Sequence, residues 1–98
     1  MVDVGQVRTF REPKRDKWQA LKPLEEATEA FAAWQALESC EPESHEWWQA
    51  LNAMAAECAD VVQATCNLLA AYGISEFKGD MRDCETRNRF RGREYQND

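Results

Sequence analysis

The feature that most constrains how this chain folds is a long repeat with helical spacing between residues 45 and 72. Its mostly apolar positions recur every three or four residues: Trp48, Leu51, Met54, Cys58, Val61, Thr65 and Leu69. Ser44 precedes the repeat and is suited to cap a first turn, whereas Gly73 follows it, where helices commonly end. The pattern predicts a helix over 45–72, about 42 Å long. The 98-residue chain has room for only one domain around it.

A second apolar repeat lies before the first and predicts another helix. Its positions are Trp18, Leu21, Leu24, Phe31 and Leu37. Asp16 followed by Gln19 resembles a helix cap. Pro23 has no backbone N–H and crowds the carbonyl of Gln19, so we expect a kink or a fresh helix start there, with the main helix over residues 23–39. Residues 1–15 are predicted to form an arm or a short extended segment.

The remaining residues predict a shorter third helix at 75–90 and a polar tail at 91–98. Only residues 40–44 separate the first two helices, and so short a connection favours an antiparallel hairpin. The sequence therefore predicts a single all-α domain over 1–98, a helical hairpin with a short third helix. Because so small a chain covers little apolar surface, we expect oligomerisation into a four-helix bundle, as a homodimer or a homotetramer.

Composition narrows the functional classes. The net charge of −6 and the pI of about 4.8 disfavour nucleic-acid polymers, which attract basic surfaces. A mean hydropathy of −0.72, with no apolar stretch of about 18 residues, argues against a membrane partner. Residues 1–16 contain no apolar signal segment, so we expect a cytoplasmic location. The four cysteines form no CxxC pair and are accompanied by a single histidine, His45, which predicts reduced thiols and no zinc site.

Two groups of carboxylates carry the functional prediction. Glu25, Glu26 and Glu29 form an EExxE motif on the first helix, and Glu57 and Asp60 form an ExxD motif on the second. Acids on a helix usually form a solvated face, but here alanines flank the second motif and no basic residue follows four positions after either pair. Antiparallel packing would let the two pairs face each other. Four converging carboxylates repel one another unless a cation is bound, and Mg²⁺ prefers oxygen ligands.

The ordered set of motifs resembles the MazG-like, all-α nucleoside triphosphate pyrophosphohydrolases. The segment 57–74, with an asparagine after the aspartate and a glycine–aliphatic ending, is similar to the second motif helix of that family. Lys22 is similar to a lysine often found ahead of the acids. The ending NRFRGR, residues 88–93, resembles the basic tail of small phage and bacterial members. The resemblance covers residues 22–93, although Pro23 and the short chain depart from longer relatives.

The resemblance implies a reaction in which water attacks the α-phosphorus of a nucleoside triphosphate and releases the monophosphate and pyrophosphate. It implies that Mg²⁺, with Mn²⁺ as a substitute, is held by Glu26, Glu29, Glu57 and Asp60. Glu25 or one of these four ligands would orient or deprotonate the water. Nucleotide-pool housekeeping is the physiological role that such an activity implies.

The residues expected to bind the nucleotide are Lys22, Trp34, Asn67, Asn88, Arg91 and Arg93. The basic side chains would contact the outer phosphates, Trp34 would stack on the base, and Asn67 would hydrogen-bond the sugar or the base. Each assignment has a simpler alternative. The basic tail would serve solubility, the tryptophan would pack in a core or subunit interface, and the asparagine would bridge two helices.

Two other functions stay open at this point. A non-catalytic helical interaction module with the same fold would show no Mg²⁺ dependence and would tolerate alanine at Glu57 and Asp60. A phosphohydrolase of the same helical class would act on another pyrophosphate, such as a histidine-pathway intermediate. Analysis of the reaction products separates these alternatives, whereas the sequence identifies neither the base nor the sugar.

Overall fold

The computed structural model describes residues 1–96, which form three α-helices and no strand. Helix α1 spans Lys17–Glu38, α2 spans His45–Ala71 and α3 spans Lys78–Phe90. The all-α class predicted from the apolar periodicity is therefore confirmed. Within this part of the chain, no helix combines the length and the apolar character needed to cross a bilayer.

Helix α1 begins six residues before the predicted start, so the expectation that Pro23 opens the helix was wrong. The carboxylate of Asp16 accepts a hydrogen bond from the backbone N–H of Gln19 at 2.9 Å, which confirms the predicted cap. Pro23 removes one backbone hydrogen bond, at a cost of about 3 kcal/mol in an isolated helix. The cap and the half-buried side chains of Leu21 and Pro23 offset this cost, so the helix continues through the proline.

Helices α1 and α2 pack against each other as a hairpin. The hydroxyl of Ser44 accepts a hydrogen bond from the N–H of Trp47 at 3.1 Å and caps α2. At the other end, Gly73 adopts φ +74°, and Ile74 N–H donates to the Leu69 carbonyl at 3.0 Å. This left-handed glycine closes the helix in the way that the sequence predicts. The residues buried in the described chain are Leu37, Ala64, Asn67 and Ala71.

Helix α3 contacts neither of the other two helices. It begins at Lys78, three residues after the predicted start, and Phe77 precedes it without a side-chain cap. The radius of gyration of the described residues is 16.1 Å, whereas about 13 Å is typical of a compact chain of this length. The hairpin consequently leaves large apolar side chains exposed on α1, among them Leu24, Phe31 and Trp34.

Candidate metal centre

Three carboxylates from the two packed helices converge in the structure. Glu26 on α1 and Glu57 and Asp60 on α2 each offer an oxygen, and these oxygens lie within 4.8 Å of one another. Glu57 and Asp60 are three residues apart on one helix, so their side chains are neighbours, and the packing of α1 brings Glu26 beside them. We call Glu26, Glu57 and Asp60 the acidic cluster.

Glu57 is the most constrained member of the acidic cluster. Its Oε2 atom is shielded from solvent and has no hydrogen-bond partner within residues 1–96. Partial burial, followed by the charges of Glu29 and Asp60, raises the pKa of Glu57 above its ordinary value. A shielded carboxylate oxygen without a donor is costly, so this position favours the arrival of a proton or a cation.

Glu26 is in the same electrostatic conflict. Partial burial and the nearby carboxylate of Glu29 raise the pKa of Glu26, with a further contribution from Asp60. The charge of Glu29 therefore raises the pKa values of both Glu26 and Glu57, although Glu29 does not contribute one of the three converging oxygens. The structure brings all four predicted metal ligands into one neighbourhood.

Glu25, the remaining acid of the first motif, is engaged elsewhere. Its Oε2 lies 3.1 Å from the Nζ of Lys22, and both side chains are about half exposed. The hydrogen bond and charge of Glu25 raise the pKa of Lys22, so the ammonium group stays protonated at neutral pH. Glu25 thus neutralises the lysine that precedes the motif instead of joining the acidic cluster.

The acidic cluster fits a hard divalent cation. All of its donors are oxygens, the ligand type that Mg²⁺ prefers, and it contains neither the histidine nor the cysteine typical of zinc sites. Oxygens within 4.8 Å of one another are close enough that they could hold one ion. A cation at this position would also supply the missing partner of Glu57 Oε2.

A cavity of about 550 Å³ adjoins the acidic cluster. Its walls come from the N-terminal residues 10–14 and 16, from the first half of α1 and from α2, and both Glu26 and Asp60 line it. Lys22 and Trp18 of α1 face the same space, and Trp18 is 70% exposed. The volume lies in the range of small-molecule sites, and the lining combines charges with aromatic surface.

Asn67 reaches this cavity but already has protein partners. It is 4% exposed, and its Oδ1 accepts hydrogen bonds from the backbone N–H of Phe10 and from Gln63 Nε2, each at 3.0 Å. The alternative of a buried polar contact therefore describes this side chain, with the partner on the N-terminal segment instead of a second helix. A substrate contact through Oδ1 would have to share the oxygen with these two donors.

Other predicted substrate-binding residues lie away from the cavity in this chain. Trp34 stacks on Phe31 with ring centroids 5.6 Å apart, and neither ring lines the cavity. Asn88 donates to the hydroxyl of Tyr95 at 3.0 Å, on an element that contacts neither α1 nor α2. Arg91 and Arg93 follow α3 and are likewise absent from the lining. Within one chain, therefore, the C-terminal basic residues do not reach the acidic cluster.

The sequence patterns did not single out the cavity residues of the N-terminal segment, which include Phe10, Arg11 and Lys14. The available signal was the concentration of basic residues just before α1, namely Arg8, Arg11, Lys14 and Arg15. A second signal was the pair Gln63 and Asn67, two amides four residues apart on α2, whose side chains hydrogen-bond each other. Neither signal names a partner, because the contacts connect residues 55 or more positions apart.

Comparison of this chain with protein-family models, with curated proteins and with solved structures gave no match. The resemblance to the MazG-like enzymes therefore rests on the motifs within this sequence alone. A helical hairpin by itself is compatible with many activities, so the fold does not identify the function and the geometry of the site is the more specific feature.

Proposed function

We propose that the protein is a Mg²⁺-dependent nucleoside triphosphate pyrophosphohydrolase. The observation that carries the proposal is the convergence of Glu26, Glu57 and Asp60 within 4.8 Å beside a cavity of nucleotide-binding size. The motif resemblance adds the reaction class. A solvated acidic face, the simplest alternative, does not account for a shielded and unpartnered oxygen on Glu57.

The charge balance of the cavity supports an anionic ligand that arrives with a cation. Three cationic and four anionic side chains line the cavity, so its net charge is −1, and one divalent ion would change it to +1. A polyphosphate alone would be repelled by the acidic cluster. A polyphosphate accompanied by Mg²⁺ finds oxygen ligands for the metal and ammonium or guanidinium groups for its own oxygens.

The chain's own residues can perform the remaining chemistry. In the proposed reaction the oxygen of water bonds to the α-phosphorus while the bond to the bridging oxygen breaks, and pyrophosphate leaves with that oxygen. One proton of the water passes to a neighbouring carboxylate, for which Glu29 is suited because it adjoins the cluster without belonging to it. Bound Mg²⁺, held by the acidic cluster, would neutralise the charge of the phosphates.

Product analysis of the native protein tests the proposal. We expect a panel of ribo- and deoxynucleoside triphosphates to give monophosphate and pyrophosphate only when Mg²⁺ is present, measured by ion-exchange chromatography of the products. Diphosphate with phosphate would show that a different bond is cleaved. Turnover of a different pyrophosphate compound, with no turnover of the nucleotides, would favour a phosphohydrolase of the same helical class that has another substrate. Absence of any turnover would favour a non-catalytic interaction module.

We further propose that two copies pair through the exposed face of α1 and form a four-helix bundle. Leu24, Phe31 and Trp34 are 65%, 57% and 45% exposed, respectively, and their spacing of seven and three residues aligns them along one side of the helix. So few side chains are buried among residues 1–96 that the stacked Phe31–Trp34 pair is better explained as part of an interface. A homotetramer would require a second face of the same kind.

Phe31→Asp is expected to convert the oligomer to a monomer, because the carboxylate would be buried without a partner in the paired α1 helices. Sedimentation velocity at several protein concentrations measures this change, with the native protein sedimenting as a species of at least twice the chain mass. Phe90→Asp is the matched control, since Phe90 is also exposed but lies on the detached α3. A monomeric native protein would contradict the bundle.

A further inference from the structure

The N-terminal segment 8–15 is held against α2 although it contains no helix or strand. Gln63 Nε2 donates to the carbonyl of Arg8 at 2.9 Å, and the N–H of Phe10 donates to Asn67 Oδ1 at 3.0 Å. Arg15 Nε donates to the carbonyl of Ala71 at 2.9 Å. From residue 8 to residue 15 the partners on α2 advance from residue 63 to residue 71, so the segment runs in the same direction as α2. We call residues 8–15 the arm.

Residues between the outer two of these contacts line the cavity beside the acidic cluster. Arg11 and Lys14 belong to this stretch, and both contribute to the lining together with Lys22 of α1. Glu12 lies between them with φ +55°, a left-handed conformation uncommon for residues other than glycine. The arm is thus a loop whose two ends are hydrogen-bonded to α2. It contributes two basic residues to a cavity that Glu26 and Asp60 also line.

We propose that Arg11 and Lys14 of the arm bind the β- and γ-phosphates of the nucleotide, in place of the C-terminal arginines. This inference rests on the proposed function, because it assigns the phosphates of the same substrate. The acidic cluster cannot itself bind phosphate oxygens, and Lys22, the cation that α1 contributes to the cavity, is already paired with Glu25 at 3.1 Å, so the site needs further cationic groups. Within one chain, the arm is an element that lines the cavity with such groups, whereas Arg91 and Arg93 lie outside it. Guanidinium and ammonium groups are the common protein ligands of phosphate.

Asn67 has a positioning role in this arrangement. Its buried oxygen accepts from both Phe10 N–H and Gln63 Nε2, and Gln63 in turn donates to the arm at Arg8. The two amides therefore fix the arm on the helix that carries Glu57 and Asp60. This explains why a buried asparagine lies seven residues after the aspartate, on nearly the same face of α2.

The test is a calorimetric titration with inorganic triphosphate in the presence of Mg²⁺. Inorganic triphosphate has no nucleobase, so the measured affinity reports the phosphate contacts alone. The variant Arg11→Ala/Lys14→Ala is expected to weaken the Kd for triphosphate about 10- to 100-fold. The matched control is Lys78→Ala/Arg82→Ala, which removes the same charge from exposed positions of α3. The control should retain the native Kd. Binding of Mn²⁺ alone, measured by electron paramagnetic resonance, should be unchanged in both variants because the acidic cluster is intact.

Equal triphosphate affinity in the arm variant and the control would overturn the assignment, as would a native protein that does not bind triphosphate. The proposed function is judged separately by release of pyrophosphate from nucleoside triphosphates. If the native protein hydrolyses nucleotides but the arm variant keeps the native affinity for triphosphate, the phosphate-binding role of the arm is refuted and the proposed function is not. Arm-dependent triphosphate binding without any nucleotide turnover would refute the hydrolase and support the arm as an anion site.

Discussion

Glu57→Gln is expected to reduce Mg²⁺-dependent pyrophosphate release strongly while raising the melting temperature of the metal-free protein at neutral pH. The amide keeps the shape of the side chain but removes one charged ligand, so we expect kcat to fall by about 10²- to 10³-fold. The same substitution removes the repulsion from Glu29 and Asp60 and ends the burial of an unpartnered charge. Activity and stability therefore move in opposite directions.

Glu38→Gln is the matched control for this substitution. Glu38 is an exposed acid in the last turn of α1, outside the acidic cluster, so both kcat and the melting temperature should stay close to the native values. Steady-state kinetics and thermal unfolding monitored by circular dichroism supply the two measurements. Native turnover by the Glu57 variant would eliminate the acidic cluster as a catalytic metal site. Loss of turnover together with a lower melting temperature would indicate simple misfolding.

Mg²⁺ itself is expected to stabilise the native protein at neutral pH by about 10 °C or more at a concentration about 100-fold above its Kd. Selective binding to the folded state at this ratio contributes about 2.7 kcal/mol, and each kcal/mol shifts the melting temperature of a chain of this size by about 4–8 °C. The stabilisation should be absent in Glu57→Gln. Sodium chloride at equal ionic strength controls for general screening of the net charge of −6. A shift of equal size with sodium chloride would exclude a specific site.

The stability of the metal-free protein is expected to fall as the pH rises. The folded-state pKa values of Glu26 and Glu57 are raised above their ordinary value of 4.5. Below the unfolded-state pKa both side chains are protonated in both states, so they contribute no ionisation penalty. As the pH rises through the raised folded-state pKa values, the folded protein must hold these charges at a cost, and stability is lost. Without metal, the melting temperature of Glu57→Gln should therefore equal that of the native protein at about pH 4 and exceed it at about pH 7.5.

Mg²⁺ should reverse this trend, because it binds the ionised carboxylates. Its effect on the melting temperature is expected to be small at about pH 4 and to grow over the interval in which Glu26 and Glu57 ionise. A pH series of thermal melts, with and without Mg²⁺, measures both curves on one sample. A metal effect that is constant across the series would place the ion at groups other than these two glutamates.

The features that the sequence predicted are those with local physical causes. The spacing of apolar residues gives each helix a face to bury, and Asp16 and Ser44 satisfy N–H groups of the first turns with their own side chains. Gly73 ends α2 because it adopts a positive φ without steric cost. The pairing of Glu57 with Asp60 follows from three-residue spacing on one helix. These features depend on residues no more than a few positions apart, which a single sequence displays directly.

The features that only the tertiary structure decided depend on contacts between distant residues. The sequence contains no local signal that the arm packs on α2, since Phe10 and Asn67 are 57 positions apart. It likewise left open that α3 detaches from the hairpin, which separates Asn88 from the cavity and leaves phosphate binding to another element. The predicted helix start at Pro23 was wrong because the lost backbone hydrogen bond is offset by the Asp16 cap and by the packing of side chains around the proline. Spacing alone determined which acids pair on one helix, whereas packing decided which cations and aromatic rings share a cavity with them.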